Sequence, residues 1–158
     1  MSYRTIYLLA FRRLSSQRAH FSIWVPYQEG GETGTAIHVI GTPMSGYSLE
    51  FKRAYKPEYT EEPKEMFAIG QINAENVHDW PGTRQDDSTP IGNLEVVAAQ
   101  IPPPRKSQNF LAPVNDTTNR RCQEWTTDFI RRLVETQYLD SSVLDQVQAR
   151  RDPPTHGV

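Results

Sequence analysis

Three side chains in this sequence have the types needed for nucleophilic chemistry: Cys122, His20 and His38. Cys122 is the only cysteine in the chain. With Trp125, Phe129 and Leu133 it recurs at offsets of three, four and four, and Ile130 and Val134 lie alongside. That spacing predicts one amphipathic helix over 119–134, with Asn119 as N-cap and Arg131, Arg132 and Glu135 toward water. Cys122 then lies in the first turn, facing inward. Free N–H groups and the positive end of the helix dipole gather there and favour a thiolate over a thiol, with Arg120 and Arg121 adding to the effect. Against this stands the plainer role of a free cysteine, which is a small hydrophobe often buried for packing alone.

The histidines sit on a predicted hairpin. His20 to Tyr27 alternates, with Phe21, Ile23 and Val25 on one face and His20, Ser22 and Trp24 on the other. Gly30, Gly31 and Gly34 mark the loop, and Thr35 to Gly41 returns with Ile37 and Val39 on one face and His38 on the other. If the apolar faces coincide, His38 shares a face with His20, directly opposite or one step diagonal. A thiolate attacks, an imidazole carries the proton and a third polar group orients that imidazole, so these parts suit acyl transfer through a covalent intermediate. The N–H groups at the helix end would hold the oxyanion.

The remaining elements must carry this constellation. Tyr3 to Phe11 reads as a central strand, Tyr47 to Tyr55 as a third strand after a Pro43/Gly46 turn, and Met66 to Ile72 as another. Asn73 to Trp80 reads as one helical turn or two and 81–90 as loop. Asn93 to Ile101 is favoured as a helix stopped by three prolines, and Arg105 to Thr118 as an irregular approach to the cysteine helix. Asp140 to Arg150 is a short last helix with Leu144 and Val147 inward. The expectation is an α+β fold, a mostly antiparallel sheet of four to six strands packed against the Cys122 helix. Residues 1–150 form a single domain and 151–158 a flexible tail.

A family resemblance bears on the same residues. His20-Phe21-Ser22-Ile23-Trp24-Val25, then Ala36-Ile37-His38-Val39, then Asn119-Arg120-Arg121-Cys122-Gln123-Glu124-Trp125 resembles the circularly permuted papain-like fold, the group of lecithin:retinol acyltransferase-like and PPPDE-type proteins. The resemblance implies Cys122 as nucleophile, His20 as base and His38 as the polar third member. It leaves 55–113 uncovered, and two arginines separate Asn119 from Cys122 where the acyltransferase-like pattern sets Asn directly before Cys. The whole chain also resembles small proteins of filamentous fungi, a likeness that brings no function with it.

Composition narrows the partners. Seventeen basic and 19 acidic residues give a net charge of −2, which provides no electrostatic footprint for nucleic acid or an anionic membrane. No apolar run reaches the length of a membrane span, and the N-terminal stretch lacks a signal-peptide layout. One cysteine excludes an internal disulfide and fits a reducing, cytoplasmic compartment. There is no Cys-x-x-Cys or His-x-x-x-His spacing, so no metal is expected, and no glycine-rich phosphate cradle, so no cofactor. His78 reads as a surface residue and His156 as incidental. The function expected is a cofactor-free thiol hydrolase or acyltransferase acting on an amide, ester or thioester, in the manner of a thiol protease. Trp24 and Trp125 would wall the cleft for a small-molecule or peptide acyl substrate. Association with a second copy is left open. The rival expectation is a non-catalytic partner-binding module with a buried structural cysteine.

Overall fold

The computed structural model describes residues 2–154. Its centre is one six-stranded sheet made of β1 (Tyr3–Phe11), β2 (His20–Pro26), β3 (Gly34–Thr42), β4 (Gly46–Tyr55), β5 (Lys64–Asn73) and β6 (Gln85–Asp87). The spatial order is β5-β1-β2-β3-β4-β6, and every pairing is antiparallel. Three helices follow: α1 (Asn93–Gln100), α2 (Cys122–Glu135) and α3 (Ser141–Arg150). The architecture is therefore α+β with an antiparallel sheet. Among the described residues no helix is long and apolar enough to cross a membrane.

Strand alternation divides the molecule into two unequal cores. On one face Ile6, Leu8, Phe21, Ile23, Val25, Ile37, Val39 and Phe51 meet the helices in the larger core. Within it Trp125, Phe129, Ile130 and Leu133 of α2 are fully buried, each such burial contributing about 1.5–3 kcal/mol. On the other face Leu9, Trp24, Ala36 and Tyr55 form a small second core, to which no α-helix of the described residues contributes a side chain. His20, Ser22, His38, Glu50 and Lys52 belong to this second face by parity, as the β3–β4 register of His38 to Glu50 and Ala36 to Lys52 shows.

Packing of α3 on the sheet depends on Gly70 of β5. A Cβ there would lie 2.4 Å from Cγ2 of Val143, so the bare backbone is what lets the helix approach. Val143 and Val147 face inward from α3 and Leu144 is only half-buried, a shift of one position from the expected stripe.

Several other expectations are corrected. β6 lies inside a stretch read as loop, where Gln85-Asp86-Asp87 has no apolar residue to signal a strand; it pairs with Phe51–Arg53 of β4. The cap of α2 is Arg121, in extended conformation, and its N–H donates to the Glu124 carboxylate at 3.0 Å. Asn119 instead anchors the loop before the helix: Nδ2 donates to the carbonyls of Ala112 (2.7 Å) and Pro113 (3.0 Å), and Oδ1 accepts from Ser107 (2.6 Å). Residues 151–154, the start of the expected tail, make specific contacts with the domain. Arg151 pairs with Glu124 at 2.7 Å, Asp152 pairs with Arg12 at 3.0 Å, and Pro154 accepts from the Val114 N–H. Residues 155–158, and with them His156, lie outside the described residues.

Candidate functional site

The hairpin brings the two histidines into direct contact. Pairing runs from Pro26↔Gly34 to Ile23↔Ile37. Continued, that register would set His38 opposite Ser22 and one diagonal step from His20. Nε2 of His20 lies 2.9 Å from Nδ1 of His38, and Nε2 of His38 lies 2.8 Å from Oε1 of Glu50. The His38 hydrogen bond, the first cause, holds the Glu50 carboxyl below its usual range, so it is ionised and accepts. With His38 neutral, it donates from Nε2 and accepts at Nδ1, and His20 donates from Nε2. The remaining nitrogen of His20, Nδ1, carries the free lone pair. Among the described residues it makes no hydrogen bond. Burial first, then the neighbouring His38 and Lys52, lowers the His20 pKa from 6.5 to about 3, so the imidazole is neutral at neutral pH.

Cys122 occupies the first position of α2 and is 9% exposed. Its sulfur sits against the edge of β2, where the ladder to β3 stops at Ile23. Sγ donates to the Ala19 carbonyl at 3.8 Å, and the N–H groups of Phe21 and Gln123 point at it as donors. The sulfur thus fills the gap left where β3 parts from β2. Among the described residues no hydrogen bond joins it to either imidazole.

The activated thiolate expected from the helix terminus is not what burial produces. The helix end offers about 0.3–1 kcal/mol, and the Arg18 charge also favours the anion. Desolvation outweighs them and, with Glu124 adding repulsion, pushes the thiol from 9.0 up to about 11. Cys122 and His20 rest as a neutral pair.

Both residues nevertheless line one open cavity of about 240 Å³, together with Phe11, Arg18, Tyr47 and Arg121. Its floor is held by a buried ionic network. Glu124 takes both guanidinium nitrogens of Arg18 at 3.0 Å and Arg151 at 2.7 Å. Gln123 donates to the Ala19 carbonyl at 3.0 Å and to Asp152 at 2.8 Å, and Asp152 also accepts from the Ala19 N–H at 2.8 Å. These contacts lock the residue before His20 to the start of α2.

Trp24 and Trp125, expected as cleft walls, lie in packed cores. Trp24 is 2% exposed and donates to the Tyr55 carbonyl at 3.2 Å; Trp125 is fully buried and donates to the Ile101 carbonyl at 3.0 Å. Neither lines the cavity of Cys122 and His20. Glu50 was not singled out in the sequence, although the short Pro43/Gly46 turn carries the signal: it fixes the β3–β4 register, and parity then sets a carboxylate opposite His38. Among the described residues no group of three or more His, Cys, Asp or Glu side chains is placed to hold a metal ion.

The fold and site define an α+β protein with a buried thiol at a helix start and a carboxylate–imidazole–imidazole relay opening on the same cavity. Residues 6–140 match the family of unknown function DUF6540, and the chain belongs to that family. No curated protein and no solved structure matches it.

Proposed function

We propose that this protein is a cofactor-free thiol enzyme that works on an amide, ester or thioester through an acyl-Cys122 intermediate, on a permuted papain-like plan. The observation that carries the reading is the relay Glu50–His38–His20, whose last imidazole keeps Nδ1 free of hydrogen bonds and belongs, with Cys122, to the lining of one cavity. A base oriented by a second polar group and backed by a carboxylate is the arrangement nucleophilic catalysis uses.

The step runs from the neutral pair. Sγ bonds to the carbonyl carbon as the thiol proton passes to Nδ1 of His20, and the carbonyl oxygen becomes the oxyanion. The donor proposed for it is the backbone N–H of Cys122, at the open end of α2. Collapse breaks the bond to the leaving group, which takes the proton from His20. Water or another acceptor then attacks the thioester, with His20 again taking the proton, and the thiol is regenerated. Because the thiol is pushed up to about 11 and the imidazole down to about 3, proton transfer accompanies carbon–sulfur bond formation and does not precede it.

A second reading has its own support. The clamp on Sγ between Ala19 and Phe21, and the raised thiol pKa, suit a structural cysteine in a partner-binding module. Incubating the full chain with p-nitrophenyl acetate and weighing it intact separates the two. The enzyme reading expects an acetyl adduct on Cys122 and ester turnover, both lost in a folded Cys122→Ala variant, with turnover but not folding lost in His20→Ala. Equal turnover by Cys122→Ala, or no adduct on the wild type, leaves the binding module.

A further inference from the structure

The relay has a second side. Beyond His20, on the face of the sheet that carries the smaller core, lies another cavity of about 270 Å³, just under the usual range for small-molecule sites. Its polar wall is His20, Ser22, His38, Glu50 and Lys52, its apolar wall includes Phe11, Ala36, Ile40 and Tyr55, and Thr60 and Glu62 form a lip. Two polar groups of this wall have no hydrogen-bond or ion-pair partner among the described residues. The Ser22 hydroxyl is buried, in a residue 1% exposed, and has no hydrogen-bond partner, a costly state for a polar group in a folded interior. Lys52 has no carboxylate at ion-pair distance among the described residues; its ammonium lies over the Tyr55 ring at 5.5 Å, Glu50 feels its charge from further off, and Asp86 is its cross-strand partner on β6. The two acidic residues of the cavity are otherwise engaged, Glu50 by His38 at 2.8 Å and Glu62 by Arg13 at 3.9 Å.

We infer that this cavity binds a small monocarboxylate, its carboxylate taken by Lys52 and the Ser22 hydroxyl and its apolar body laid against Phe11, Ala36, Ile40 and Tyr55. A carboxylate satisfies both unused groups at once: it accepts from the hydroxyl and neutralises the ammonium. An amine would meet the Lys52 charge, and a neutral alcohol would leave that charge unanswered. The cavity stands apart from the sulfur and shares only Phe11 and His20 with the cavity that Cys122 lines, so the inference does not depend on the acyl chemistry proposed above.

Titration calorimetry of the full chain with hexanoate, with hexylamine and hexanol as controls, tests it, alongside imidazole NMR shifts of His20 and His38. Hexanoate is expected to bind and to move both imidazole signals, with hexylamine and hexanol silent. Lys52→Met should weaken binding about tenfold or more, the usual scale for losing a charge-assisted contact, and Ser22→Ala should weaken it by a smaller factor. Lys52→Arg should restore it, showing that charge and not local folding is read. Cys122→Ala should bind as the wild type does, which keeps this outcome separate from the fate of the thiol-enzyme reading. Absence of hexanoate binding, equal affinity in Lys52→Met, or preference for hexylamine would overturn the inference.

Discussion

At the scale of single residues, the state of Cys122 is decided by a contest of magnitudes. A helix terminus is a weak device beside removal from water, so a cysteine at the first helical position is no guide to its ionisation once it is covered. Alkylation of the wild type by iodoacetamide should therefore be slow at neutral pH and climb with a midpoint near 11; a midpoint below 9.0 would show an activated thiolate instead. The pairing of His20 with His38 was readable beforehand because strand alternation is strict: parity puts both on one face, and the hairpin register sets them within one diagonal step. The ionisation of Cys122 was not, because it depends on what covers the sulfur, and that cover comes from Ala19 and Phe21 of a strand a hundred residues away. Trp24 and Trp125, both buried, carry a related ambiguity. An aromatic at a core spacing and one on a cleft wall have the same sequence signature, and only tertiary packing separates them.

At the scale of elements, strong periodicity translated well and polar strands did not. α2 and α3 and the strands β1 to β5 carry 3.6- or 2-residue patterns, and each appears close to its predicted span. β6 carries none: it is a strand because Phe51–Arg53 of β4 offers an open edge and because Arg53, fully buried, needs Asp87 (3.2 Å) and Glu95 (2.6 Å) as partners. The start of α2 shifted from Asn119 because the Asn side chain spends its hydrogen bonds on the preceding loop. Gly70 shows how an element boundary becomes an energetic one. Gly70→Ala should push Val143 and α3 off the sheet and destabilise the protein by about 1–3 kcal/mol; a melting temperature unchanged or raised would show that the helix has room to shift.

At the scale of the whole molecule, acid stability integrates the buried polar groups. The folded pKa of His20, about 3, lies below the 6.5 of the free side chain, so the unfolded chain binds that proton first. Its contribution is complete above pH 6.5 and drains away as pH falls toward 3. Glu124, with burial raising but the Arg18 and Arg151 bonds prevailing, and Asp152, held down by Arg12, Ala19 and Gln123 against its own burial, are both lowered. Their contributions are present above 4.5 and 3.8 and fade as pH drops through their folded values. Wild type should lose about 2 kcal/mol between pH 6.5 and 4.5, and His20→Asn should flatten that part of the curve. Equal slopes in urea melts of the two proteins would refute the assignment to His20. The general plan, an antiparallel sheet with helices gathered on one face, was legible from the alternation of strand patterns followed by helical ones. The tie of residues 151–154 to Arg12 and Glu124 was not, since a short polar segment with two prolines looks the same whether it is pinned or free.

The sulfur sits at the start of β2, held by the carbonyl of Ala19, just before the strand, and the amide of Phe21 within it. Because Cys122 also lines an open cavity, a group that adds to it from there must displace those two bonds, and the chemistry of this thiol is set by how readily the backbone lets go.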